Sequence, residues 1–181
     1  MPDETQAFAV WLTGLPASGK STLAAELAAA LRRRGIRPAV LESDALRPIL
    51  TPHAQYSASE RDTFYTQLAA IGILLTRQGI PVIFDATANL RRYRDAARRA
   101  IPAFFEVYVD CPLPVCQSRD PKGIYRAAAN VPGLQAPYEP PLAPELTVRH
   151  GDPDAAARIL ALLPLGDAPC SEKPSPASPR S

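Results

Sequence analysis

The chain has 181 residues, 46% of them hydrophobic, and a formal net charge of +2. That length suits one domain, or one domain with a tail, folding without disulfides or metals; the small charge argues against nucleic acid as the main partner. No run of about eighteen apolar residues is present to span a bilayer, and three cysteines, Cys111, Cys116 and Cys170, with no CxxC pair, fit a reducing, cytoplasmic setting better than a disulfide framework.

Residues 1–7 are polar and acidic, read as a flexible N-terminus without the apolar core of a signal sequence. Phe8 to Leu12 is a short apolar run expected as a buried strand. A glycine-rich turn follows, then a helix carrying Leu23, Leu27 and Leu31 and stopped by Gly35. Arg32, Arg33 and Arg34 fall at the C-terminal end of that helix, where cations suit its dipole. Pro38 to Leu41 reads as a second strand, ending at Glu42-Ser43-Asp44.

Ser57 and Glu60 form a capping box opening a long helix towards Gly79, with Leu68, Ile71, Leu74 and Leu75 expected on one side. Pro81 to Phe84 is a third buried strand, ending in Asp85, and Asn89 is placed to cap a basic helix reaching Ala100. Phe104 to Val109 reads as a strand ending in Asp110, followed by a helix over about Leu113 to Arg119. Residues 120–145 are proline-rich and loop-like. Leu146 to Val148 is a candidate last strand, and Asp152-Pro153 a helix start with proline in the first turn. Beyond residue 165 the composition shifts to Pro, Ser and Ala, so 166–181 is expected as a disordered tail outside an 8–165 catalytic domain.

Strands alternating with helices predict an α/β three-layer sandwich with a mainly parallel central sheet. Ligands bind such sheets at the C-terminal ends of their strands. Thr13-Gly14, Glu42 to Asp44, Asp85 and Asp110 all fall there.

Gly14-Leu15-Pro16-Ala17-Ser18-Gly19-Lys20-Ser21, followed by Thr22, matches G-x-x-x-x-G-K-[ST]. Glycines let the backbone wrap a polyphosphate with its N–H groups inward, and the following helix presents its positive end. Lys20 is suited to the β- and γ-phosphates of ATP, and the Ser21 hydroxyl to Mg²⁺. Asp44 is a candidate to take the proton from an acceptor hydroxyl or to hold Mg²⁺ through water. Asp85, closing an apolar strand, is the second candidate Mg²⁺ carboxylate. A single strand-ending Asp is a modest signal, and Asp110 before Pro112 reads as structural.

Several segments together resemble the adenylylsulfate kinase family. Trp11-Leu12-Thr13 leading into the phosphate loop resembles its opening, and Leu41-Glu42-Ser43-Asp44-Ala45-Leu46-Arg47 its L-D-G-D-N-x-R segment. Phe105 to Leu113 continues the likeness, Arg119-Asp120-Pro121-Lys122-Gly123-Ile124-Tyr125 resembles the family's R-D-P-K-G-L-Y, and Pro137-Tyr138-Glu139-Pro140 and Pro144-Glu145-Leu146 complete it. The likeness spans roughly residues 8 to 163. It implies a P-loop fold like that of nucleoside monophosphate kinases, a lid over about 120–145, and commonly a homodimer. The reaction implied is ATP plus adenylylsulfate giving ADP plus 3′-phosphoadenylylsulfate, with Mg²⁺. By the same resemblance Asp44 takes the place of the base and Arg47 of a substrate-binding arginine. Tyr56 stands where a phenylalanine stacks on the substrate adenine, and Arg61, Arg91 and Arg94 match further arginines. Arg119 and Lys122 belong to the lid beside ATP.

The departures fall on the acceptor side. The family's E-N-I-R-R reads here as Thr63-Phe64-Tyr65-Thr66-Gln67, so an asparagine and two arginines are gone. Its S-P-Y-R reads as Ala88-Asn89-Leu90-Arg91, and Ala127 to Gly133 is a shorter lid lacking I-K-x-F-T-G. Each lost charge-assisted contact weakens a charged substrate by roughly 1.5–3 kcal/mol. A kinase of the same build acting on another small hydroxyl compound is therefore the second reading. Phe84-Asp85-Ala86-Thr87-Ala88-Asn89 also resembles the D-A-T-x-x segment of other P-loop kinases, including kinases of nucleic-acid ends, a reading the small charge does not favour. A non-catalytic nucleotide-binding regulator is the last alternative, and retained Lys20, Ser21, Asp44 and Asp85 argue against it.

Overall fold

The computed structural model describes residues 7–127 and 130–165. The expectations for residues 1–6, for Ala128 and Ala129, and for the tail with Cys170 lie outside the described residues.

Strand β1 (Ala9–Thr13) is buried along its whole length because both of its faces are covered. Phe8, Val10 and Leu12 point to one side, against Leu23, Leu27 and Leu31 of helix α1 (Lys20–Arg33). Ala9 and Trp11 point to the other, against Phe64 and Leu68 of helix α3 (Ala58–Arg77) and Tyr93 and Ala97 of helix α4 (Arg91–Ala100). The period-2 alternation of one strand thus feeds two separate cores, the signature of a three-layer sandwich. Trp11 stacks on Phe84 with centroids 4.2 Å apart, and its Nε1 donates to the carbonyl of Ala86 at 3.0 Å, so the indole is buried with its polar atom satisfied.

The other strands are β2 (Ala39–Glu42), β3 (Val82–Asp85), β4 (Phe104–Asp110) and β5 (Leu146–Arg149). They form one sheet in the order β2-β3-β1-β4-β5, and every pairing is parallel. β1 lies between β3 and β4, with Ala9 opposite both Val82 and Phe104. The chain builds outward to β2 on one side and to β5 on the other, so a crevice opens beyond the C-terminal end of β1. Thr13, Glu42 and Asp85 all terminate their strands at that edge.

Helix α2 (Ser43–Leu50) begins immediately after β2, and the short helices α5 (Leu113–Arg119), α6 (Ile124–Ala127) and α7 (Ala155–Leu160) complete the chain order. The capping box of α3 is formed: Ser57 Oγ accepts from the Glu60 amide at 3.3 Å, and Glu60 Oε2 accepts from the Ser57 amide at 3.1 Å. The close packing of α3 on β3 depends on Gly72, where a Cβ would lie 2.0 Å from the Phe84 ring.

Four local expectations need correction. Leu74 is 57% exposed, because the buried stripe of α3 runs through Phe64, Tyr65, Leu68, Ala69 and Gly72, and position 74 falls off that stripe. Asn89 does not cap α4; its Nδ2 donates to the Pro137 carbonyl at 2.9 Å, while Glu139 Oε2 accepts from the first helical amide, Arg91, at 2.8 Å. The last helix starts at Ala155 rather than at Pro153, since the Asp152 carboxylate closes a turn onto the Asp154 amide at 2.9 Å. Within 120–145, a one-turn helix, α6, interrupts the loop.

Candidate active site

The phosphate loop links β1 to α1. Gly14 has φ 154° and lies against β4: a Cβ there would meet the Val109 carbonyl at 2.6 Å, so only glycine fits. Gly19, at φ 102°, occupies the left-handed region and turns the chain directly into α1, whose first residue is Lys20. Lys20 is buried; its Nζ donates to the carbonyls of Leu15 at 2.8 Å and Gly14 at 3.1 Å. Burial lowers the pKa of this ammonium, and the neighbouring Asp85 carboxylate works against that shift. A cation is thus held in the mouth of a loop whose amides and helix dipole also favour negative charge.

A cavity of about 410 Å³ opens from this loop across the C-terminal edge of the sheet. On the phosphate-loop side its wall holds Pro16, Ala17, Gly19, Lys20, Ser21 and Thr22. Asp85, 4% exposed, closes the floor beside them. Opposite lie Asp44, Arg47, Tyr56 and Arg61, and the roof is supplied by Arg119, Lys122 and Asn130 to Pro132. Residues separated by up to 116 positions in the chain, Pro16 to Pro132, therefore share one chamber.

The roof is drawn over the cavity by contacts to three other segments. Lys122 Nζ donates to Asp44 Oδ2 at 2.6 Å, and that hydrogen bond raises the pKa of the lysine. Tyr125 Oη donates to the Pro16 carbonyl at 2.9 Å. Leu15 packs on Gly133 so closely that a Cβ there would meet its Cδ2 at 2.5 Å. Arg61 joins this opposite wall to the roof, donating through Nε to the Tyr56 carbonyl at 3.2 Å and through Nη2 to the Asn130 carbonyl.

Arg91 and Arg94, expected from the resemblance to bind substrate, do not line the cavity. Arg94 is 1% exposed and spends its guanidinium on the framework, on Glu106 Oε1 at 2.5 Å, on Glu139 O at 2.8 Å and on Ala88 O. Arg91 turns outward to the Pro140 carbonyl at 3.1 Å. Charge alone could not distinguish an arginine that meets a ligand from one that ties α4 to the following loops; the partners Glu106 and Glu139 are distant in sequence. Arg94→Met is expected to lower stability by about 3 kcal/mol, the low end for breaking a buried ion pair because Arg98 still faces Glu106 at 3.1 Å. Chemical denaturation checks this, with kcat of the folded fraction near wild type.

Sequence reasoning passed over Tyr65 and Thr87, which also line the cavity. Thr87 follows Asp85 and accepts, through its carbonyl, the Thr13 hydroxyl at 2.7 Å. The only advance signal for Tyr65 is its place in the Thr63 to Gln67 segment, where the chain departs from the family's E-N-I-R-R.

A parallel sheet with a lysine-bearing phosphate loop at its switch point, a carboxylate beside the loop and a folded-over roof defines a P-loop phosphotransferase. The chain belongs to the adenylylsulfate kinase family: the family model described as Adenylylsulphate kinase matches residues 6–149. An adenylyl-sulfate kinase of Rippkaea orientalis is 40% identical over 149 residues, covering 80% of this chain and 82% of that protein. A probable bifunctional SAT/APS kinase of Sorangium cellulosum is 39% identical over 164 residues, which is 86% of this chain but 28% of that longer protein. Among solved structures, the Mycobacterium tuberculosis APS kinase in complex with AMPPNP and APS superposes with a TM-score of 0.80 at 32% identity, covering 87% of this chain and 97% of that one.

Among the described residues no helix is long and apolar enough to cross a membrane.

Proposed function

We propose that this protein transfers the γ-phosphoryl group of ATP to the 3′-hydroxyl of adenylylsulfate, releasing ADP and 3′-phosphoadenylylsulfate. The observation that carries the reading is the single cavity joining the phosphate loop, Lys20 and Asp85 to Asp44 and Arg47 on the opposite wall. Donor and acceptor groups thereby face one another within one chamber, which is what in-line phosphoryl transfer needs. The family membership, and the likeness to a kinase solved with a nucleotide analogue and APS, support the same reading.

In this account the loop amides of residues 14–22 and Lys20 hold the polyphosphate, and Arg119 in the roof lies beside the nucleotide. Asp44 accepts the proton of the attacking hydroxyl. Arg47, Tyr56, Arg61 and Lys122 shape the acceptor end. The donor set suits Mg²⁺: one buried carboxylate, Asp85, and one hydroxyl, Ser21, line the same wall. Among the described residues no group of three or more acidic, His or Cys side chains gathers elsewhere as a metal cage. Mg²⁺ is ordinarily held by one or two protein ligands together with substrate phosphates and water. When bound, it would neutralise charge on the β- and γ-phosphate oxygens. The 8–165 segment is the catalytic unit in this reading, working in the cytoplasm as a homodimer.

A specific observation keeps a second acceptor in view: Phe64, wholly buried, stands where the family carries an asparagine, and Thr66 and Gln67 stand where it carries two arginines. ADP release from Mg-ATP, measured against adenylylsulfate, adenosine, nucleotides and small polyols, separates the readings. Turnover that depends on adenylylsulfate supports the proposal; turnover with a polyol or nucleoside, and none with adenylylsulfate, removes it.

A further inference from the structure

Arg47 is 8% exposed and lies in the cavity wall, yet its Nη1 is buried without a hydrogen-bond partner. Among the described residues it makes no ion pair either; the carboxylate next to it in the wall, Asp44, is taken by Lys122. What holds the guanidinium is a set of ring faces. Its Cζ sits 3.8 Å from the Phe64 centroid, 4.9 Å from Tyr56 and 5.8 Å from Tyr65. Phe64 is wholly buried, at 5.2 Å centroid distance from Tyr65, which in turn stacks on Tyr93 at 4.7 Å.

A carboxylate beside Arg47 would spend both its charge and its donors. A ring face fixes the plane of the guanidinium by cation–π attraction and spends neither. Buried charged N–H groups without partners are rare unless a ligand supplies the partner. The orphaned Nη1, on the acceptor wall, therefore marks where an oxyanion is received.

Resting on the adenylylsulfate reading, we infer that Phe64 is a specificity-determining positioning residue. It sets the height and plane of Arg47 so that Nη1 meets the 5′-oxyanion of the acceptor. A nucleotide bearing a 5′-oxyanion is thereby selected over an uncharged nucleoside. Phe64 acts through Arg47 and does not itself line the cavity. In the resemblance, its position is that of the family's asparagine; here an aromatic platform does the orienting.

The test compares Phe64→Met, which keeps volume but removes the ring face, with Arg47→Met and the double variant. Phe64→Met is expected to raise KM for adenylylsulfate about tenfold, with kcat and KM for ATP within about twofold. Binding of AMP relative to adenosine, read by calorimetry, should lose the same factor. In the Arg47→Met background the change at Phe64 should have no further effect on either quantity. Unchanged KM and unchanged AMP-over-adenosine preference would overturn the inference, as would an equal Phe64 effect in the absence of Arg47. Melting temperature is followed throughout; if Phe64→Met does not fold, Phe64→Leu takes its place. Wild type that binds AMP over adenosine through Phe64 but does not turn over adenylylsulfate would sink the proposed reaction and leave the Phe64 role standing.

Discussion

Lys20→Met is expected to reduce kcat by about 10²–10³-fold, the loss seen when one preorganised group facing developing charge is removed. The expectation comes from placement. Lys20 is the first residue of α1, is 8% exposed, and already sits against the Leu15 carbonyl at 2.8 Å. Its charge therefore needs little reorganisation to meet phosphate oxygens at the loop. Methionine keeps the length and apolar stem of the side chain, so the fold should persist and circular dichroism should match wild type. Steady-state ADP release checks the kinetic loss. A variant with near-wild-type kcat would mean that the phosphates are held elsewhere than at this loop.

Asp44→Asn is expected to reduce kcat by about 10²–10⁴-fold, the usual contribution of a general base, while ATP binding stays close to wild type. Asparagine keeps the shape and loses the ability to accept a proton. Because Asp44 also pairs with Lys122 at 2.6 Å, Lys122→Met is the needed companion. If Asp44 served only to hold the roof through that pair, the two variants would show equal losses. The account requires the Asp44→Asn loss to be much the greater. Equal losses would transfer the role of Asp44 from proton acceptor to roof anchor.

The layers and the phosphate-loop side of the candidate site were legible because they rest on local signals. The run Phe8 to Leu12, the glycine-flanked Lys20-Ser21 and the apolar strand ending in Asp85 each carry their meaning within a few residues. A mainly parallel sheet followed from strands separated by helices; the order β2-β3-β1-β4-β5 did not. The opposite wall was harder because its contacts bridge distant positions. Nothing local in Arg94 announces Glu106, Glu139 and the Ala88 carbonyl as its partners, and the basic character of α4 suited an anion site as well as a buried tie. Asn89 looked like a helix cap, but the loop after the roof delivers Glu139 to that end of α4 instead. Phe64 registered only as a departure from the family; the guanidinium stacked 3.8 Å above it became visible only when α2 and α3 were brought together.

The central claim is that donor loop and acceptor wall meet so that phosphate passes to the 3′-hydroxyl of adenylylsulfate. Product identification after incubation with Mg-ATP and adenylylsulfate tests it most directly, with tandem mass spectrometry locating the new phosphate. The account predicts one added phosphoryl group on the ribose 3′-oxygen, with ADP formed in equal amount and both formed at least about 10²-fold more slowly when Asp44→Asn replaces the native chain. ADP formation at the same rate with and without adenylylsulfate, with the nucleotide recovered unphosphorylated, would contradict it.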